Sequence, residues 1–173
     1  TAVTTRLEKT FRLKEEGMEP VGFFYNPNIH PYLEYKRRLE TVREFSLRVG
    51  LDVHYRDDYD LDEFLVRVAG RGALRCEQCY RVRLDAAGSS AREKGFSAFT
   101  TSLLYSKYQK HDLIAGIGRE MGAEHGVEFF YEDFRRGWRE GIVESKAMGL
   151  YRQQYCGCIY SERDRYRKRG GQD

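Results

Sequence analysis

The feature that most restricts the fold of this chain is the way two hydrophobic periods take turns along it. Pro20 to Tyr25, Pro-Val-Gly-Phe-Phe-Tyr, is short and dense in apolar residues, as a buried strand is. From Tyr32 the spacing changes. Tyr35, Leu39, Val42, Phe45 and Val49 share one helix face, and Gly50 is a stop signal. Leu51 to Tyr55 alternates like a short strand, and Leu61 to Val68 is a short helix. Tyr80, Leu84, Ala87 and Ala91 form the apolar face of a longer helix ending near Gly95. Phe96 to Leu104 reads as a strand, His111 to Met121 as a helix, Val127 to Tyr131 as a strand, and Trp138 to about Tyr151 as the last helix. A leading helix through Val3, Leu7 and Phe11 ends near Gly17 and lacks a strand before it. Strands separated by helix-length crossovers pair in parallel. The expected fold is therefore α/β, a doubly wound, mostly parallel sheet in one domain over 1–173, with a basic C-terminal tail from about 162.

The four cysteines fall in two tight pairs, Cys76 and Cys79 in Arg-Cys-Glu-Gln-Cys-Tyr and Cys156 and Cys158 in Tyr-Cys-Gly-Cys. A disulfide across Gly157 would close a loop too small to restrict the unfolded chain much, and its geometry would be strained. Strain favours reduction, so such a bond suits redox use better than stapling. The alternative is that both thiolates face one metal centre. The two-residue spacing of Cys76 and Cys79 lets both sulfurs bind one ion or cluster, at the head of a helix where Arg75, Arg81 and Arg83 stabilise thiolates. Three uses stay open for them: half of a four-cysteine zinc site, a thioredoxin-type dithiol, or iron–sulfur ligation.

Composition narrows the class. Hydrophobic residues at 40% and aromatics at 14% exclude a disordered chain. No apolar run approaches the roughly 20 residues that span a bilayer, and the N-terminus carries no signal-peptide core, so a soluble, cytoplasmic protein with no membrane partner is expected. Net charge is only +3, but Arg163, Arg165, Arg167, Lys168 and Arg169 crowd the C-terminus, and Arg135, Arg136 and Arg139 form a second cluster. Basic clusters interleaved with tyrosine suit a nucleic-acid backbone, and equally describe a solvated tail and helix face. Asn26 to Pro31 leaves the C-terminal end of a strand, where open parallel sheets bind ligands. Tyr25, Asn26, Asn28 and His30 are therefore pocket candidates. Asp57, Asp58 and Asp60 read as the N-terminal cap region of the helix at Leu61 rather than as a metal site. No Gly-rich phosphate loop or serine-nucleophile motif is present.

Several stretches together carry more than spacing can. Phe23-Phe24-Tyr25-Asn26-Pro27-Asn28-Ile29-His30-Pro31 with Glu34-Tyr35 and Arg38-Leu39, Arg75-Cys76-Glu77-Gln78-Cys79-Tyr80 with Arg83-Leu84, Phe99-Thr100-Thr101-Ser102-Leu103-Leu104, and Tyr151 to Cys158 ending in Ser161 occur in that order. They resemble the QueH family of epoxyqueuosine reductases. The resemblance implies a three-layer α/β fold of the adenine-nucleotide-hydrolase (HUP) type. It implies an enzyme that removes the epoxide oxygen of epoxyqueuosine at the tRNA wobble position, giving queuosine, with electrons from a donor the sequence does not identify. It also implies a 4Fe-4S iron–sulfur cluster with a second iron in the same centre. Cys76 and Cys79 would then bind the cluster, and Cys156 and Cys158 would be a redox-active pair or take part in the metal centre. Tyr25, Asn26, Asn28 and His30 would line the substrate pocket, and Tyr105, Tyr108 or Tyr155 would stack on the base. Arg135, Arg136, Arg139, Arg163, Arg165 and Arg167 would hold tRNA phosphates. Family members begin with a strand ending in Cys-Cys, then Pro and Cys or Asp. Thr1 to Thr4 is similar to the segment immediately after that motif, so the first strand and its ligands are expected to be missing from these 173 residues.

Overall fold

The computed structural model describes residues 17–167. The leading helix expected through Val3, Leu7 and Phe11 and the basic residues Lys168 and Arg169 lie outside them. Within them the alternation read from the sequence is present. The elements are β1 (Gly22–Phe24), α1 (Tyr32–Val49), β2 (Val53–Tyr55), α2 (Leu61–Val68), α3 (Arg75–Glu93), β3 (Ala98–Phe99), α4 (His111–His125), β4 (Glu128–Phe129), α5 (Trp138–Ala147) and α6 (Ile159–Tyr166). The parallel expectation also holds, with Phe23 opposite His54 and Phe99 opposite Phe129. The strands form two separate two-stranded parallel sheets, β1-β2 and β3-β4. Each pair is one β-α-β crossover, with α1 or α4 on the connection.

Each crossover packs its own core. Phe24, Tyr35, Leu39, Val42, Phe45 and Leu51 close the first, and Leu150 reaches it from the far end of the chain. Tyr80, Leu84, Phe99, Leu104, Ile114, Ile117 and Phe129 belong to the second. The helix faces are those the periodicity marks, because burying one stripe of each amphipathic helix is what holds it to the strands. Gly118 lets α4 lie close on β4: a Cβ there would fall 2.3 Å from the Phe129 ring.

Four boundaries differ from the periodicity. The strand expected over Phe96 to Leu104 lasts two residues, because the Thr101 hydroxyl accepts from the Leu103 amide and turns the chain into a 3₁₀ helix at Ser102–Tyr105. The strand at Val127 is equally short, and the Asp133 carboxylate starts a second 3₁₀ turn at Phe134–Gly137. The helix from Trp138 ends at Ala147 rather than Tyr151, where the chain turns at Gly149 and Leu150 donates back to Ser145. The expected C-terminal tail is helical from Ile159 to Tyr166. The Asp57–Asp60 stretch does precede α2, yet none of its carboxylates caps the helix. Asp57 instead accepts from Tyr35 and Arg43, Asp58 from Arg56 and Asp60 from Tyr25.

A sulfur-lined cavity as the candidate functional site

Strand β1 and the 3₁₀ turn after β3 flank a cavity of about 800 Å³ that all four cysteines line. Cys76 and Cys79 lie one turn apart in the first turns of α3. Cys158 directly precedes α6, and Cys156 stands two residues before it. Unpaired amides at a helix start favour negative charge on a nearby sulfur. Arg75 and Arg83, also on the wall, add positive charge.

All four cysteines are free thiols, so the disulfide across Gly157, one of the two arrangements open to that pair, is not formed. The two sulfurs of that pair sit in different settings. Cys156 is exposed, and its thiol donates to Ser161 Oγ at 3.0 Å, while Ser161 in turn donates to the Cys158 carbonyl. Burial pushes the Cys158 thiol up, against the pull of the Tyr160 and Ser161 amides and of Arg75. Cys79 lies deepest. Burial pushes its thiol up to about 12, with Arg83 lowering it and the other three cysteines raising it, so the four interact electrostatically. Among the described residues no three His, Cys, Asp or Glu side chains converge tightly enough to hold a single metal ion.

These settings fix an order of reactivity. In metal-free protein at mildly alkaline pH, alkylation is expected at Cys156 first and at Cys79 last, read by mass spectrometry of peptides at successive times. The Cys79 shift also carries a sign for stability. The folded chain retains this proton where the unfolded chain has lost it. Stability is therefore full below the usual thiol range and falls as pH rises towards about 12.

The Cys156-Gly157-Cys158 loop is tied down by a residue to which the sequence pattern assigns no role. The Arg38 side chain, 8% exposed, donates to the carbonyls of Tyr155 and Cys156 at 3.1 Å each and to Gln153 Oε1 at 2.9 Å. Its Nε donates to Glu34 at 2.7 Å, and the other Glu34 oxygen accepts from Tyr151 at 2.7 Å. The His30 amide donates to the Gly157 carbonyl at 2.8 Å, and the Tyr155 hydroxyl donates to the His30 carbonyl. The signal for Arg38 was present: it stands four residues after Glu34 and interrupts the apolar stripe between Tyr35 and Leu39.

The other predicted residues divide in two groups. Tyr25, Asn26, Asn28 and Tyr105 line the cavity with the cysteines. Asn26 accepts from Arg83 at 2.9 Å, and Asn28, 2% exposed, keeps an Oδ1 with no partner among the described residues. Tyr105 is a core residue whose hydroxyl donates to the Gly137 carbonyl. Tyr155 and His30 stand behind the wall. The buried His30 ring packs on Tyr59 and Phe64, and burial lowers its pKa against the opposing pull of the Pro27 backbone. Arg135 is bound to Asp133, holding that carboxyl down to about 2, and Arg163 is bound to Asp164. Arg136, Arg139, Arg165 and Arg167 are exposed on the surface. The arginines on the cavity itself are Arg38, Arg75 and Arg83. No helix among the described residues is long and apolar enough to cross a membrane.

The scaffold is a parallel α/β one that brings two distant cysteine pairs to one cavity. Comparison with known proteins makes this specific. Residues 4–164 match the family model described as Epoxyqueuosine reductase QueH. A protein of that name from Dehalococcoides mccartyi is 36% identical over 155 residues, covering 90% of this chain and 85% of the relative. Another from Thermotoga maritima is 37% identical over 156 residues, covering 84% and 81%. The chain belongs to the epoxyqueuosine reductase QueH family.

Proposed function

We propose that this protein reduces epoxyqueuosine to queuosine at the wobble position of tRNA, with the sulfur-lined cavity as its active site. The observation that carries the reading is that Cys76, Cys79, Cys156 and Cys158, from two segments distant along the chain, open onto one cavity. The reaction breaks both carbon–oxygen bonds of the epoxide and forms a carbon–carbon double bond. Two electrons from an external donor and two protons carry the oxygen away as water. The family supports a redox enzyme acting on tRNA.

The thiols on the wall are the donor type that a 4Fe-4S cluster takes. These cysteines supply thiolate ligands, while Arg75, Arg83 and the start of α3 offset their negative charge. Cys76 and Cys79 would hold the cluster, and Cys158 and Cys156 would either join the centre with a second iron or cycle as a dithiol. Such a centre, when bound, supplies electrons and a Lewis-acidic iron for the epoxide oxygen. The chain's own residues do the rest. Asn28, whose side-chain amide donates to the Cys156 carbonyl, would shape the adjoining wall together with Asn26, fixed by Arg83, and Tyr25. Arg38 ties the Cys156–Cys158 loop to α1. Arg136, Arg139, Arg165 and Arg167 would meet the phosphates of the anticodon stem, with Arg135 and Arg163 joining them by exchanging their carboxylate partners. Supporting a three-layer HUP-type architecture are the two parallel crossovers and the apolar cavity between them. The reading places the enzyme in the cytoplasm, as one domain.

Protein purified without oxygen tests this. Iron with labile sulfide and conversion of epoxyqueuosine to queuosine in tRNA given a reductant are the expected results. Cys79→Ala should lose at least about a hundredfold in conversion, in keeping with loss of a group the chemistry requires. One tightly bound zinc and unchanged nucleoside would instead support an RNA-binding module with a structural zinc site.

A further inference from the structure

We propose that Tyr108, Trp138 and Lys107 form a stacking edge at the mouth of the cavity, which takes an unpaired RNA base beside the nucleotide that enters. The inference rests on the reading of the cavity as an RNA-modifying site and adds to it where the neighbouring base binds.

Trp138 is the single tryptophan of the chain and opens α5. It lines the cavity together with Ser106 and Gln109, so whatever stacks near it is continuous with the sulfur-lined interior. The buried Tyr105 ring, 5.5 Å from the indole, holds it from within. On the outer side the Tyr108 ring meets the indole edge-on, with centroids 5.8 Å apart and planes at 82°. Tyr108 is 76% exposed, although a ring of that size normally gains by burial. The Lys107 ammonium lies 5.3 Å from the centre of the Tyr108 ring and 6.0 Å from that of Trp138.

A fixed indole, an open phenol and a cation within reach of both match what unstacked nucleotides need. The ring faces accept a base of any sequence and the ammonium meets its phosphate. A paired stem has its bases stacked already and offers none to these rings. The occupant is therefore a single-stranded stretch such as an anticodon loop.

Trp138 emission gives a direct readout. Titration with a synthetic anticodon stem–loop RNA is expected to quench it, whereas a fully paired hairpin of equal length leaves it unchanged. Tyr108→Ala should weaken stem–loop binding roughly tenfold without altering its salt dependence, because no charge is removed, and Tyr108→Phe should bind within about twofold of the parent. Tyr108 is exposed, so these variants should fold as the parent does, which their unfolding midpoints check. Unchanged stem–loop affinity in Tyr108→Ala, while the parent binds and modifies its RNA, overturns the stacking edge and leaves the enzymatic reading standing. An equal loss on the paired hairpin overturns it as well. A parent that binds no stem–loop RNA removes both the edge and the reading beneath it.

Discussion

Gly157→Ala is expected to cut turnover by about a hundredfold or more and to destabilise the protein by about 2–5 kcal/mol, as backbone strain and overpacking add. Gly157 has φ +119°, a conformation closed to residues with a side chain. A Cβ built there would lie 2.9 Å from Ile29 Cγ1, 3.0 Å from Asn28 Nδ2 and 3.1 Å from an Arg38 guanidinium nitrogen. None of those neighbours can move freely. Ile29 and Asn28 are buried, and Arg38 is held by four hydrogen bonds. The loop must therefore shift, and the two flanking sulfurs shift with it. Urea unfolding and nucleoside analysis of tRNA measure the two effects. Parent-like values in both would remove the close-packed loop from the account of the site.

Arg38→Met should be the most destabilising change on the cavity wall, at about 3–5 kcal/mol, the usual loss when one member of a buried ion pair is removed. Methionine fills much of the same volume but satisfies none of the groups that Arg38 bonds. The Glu34 carboxylate, the carbonyls of Tyr155 and Cys156, and Gln153 Oε1 would all lose a donor in a nearly dry setting. Arg38→Lys keeps the charge, yet a single ammonium cannot replace the planar group that reaches four acceptors, so it should recover only part of the loss. A second readout separates anchoring from bulk stability. With the loop released, Cys158 should be alkylated faster than in the parent even well below the unfolding midpoint. A Cys158 labelling rate equal to that of the parent would show that the loop holds its place without this guanidinium.

The fold was legible wherever a pattern is local. The helix faces at Tyr35 to Phe45 and Tyr80 to Ala91, the stop at Gly50 and the parallel pairing of the strands all follow from spacing that neighbouring residues set among themselves. Strand ends were not legible. At Thr101 and Asp133 a side-chain oxygen competes with the ladder for the backbone, and hydropathy does not register that competition. Cysteine spacing likewise marked both pairs as chemical without saying that they meet.

What the sequence determined by itself is the kind of scaffold and the kind of reactive atom: alternating crossovers, and thiols in close pairs. Tertiary structure alone decided that Cys76 and Cys79 share a wall with Cys156 and Cys158, that Arg38 ties a loop more than a hundred residues away, and that His30 turns its ring into the protein behind the wall. Periodicity reports how a residue relates to its own helix or strand. A hydrogen bond across the fold depends on where two elements come to rest, and only packing fixes that.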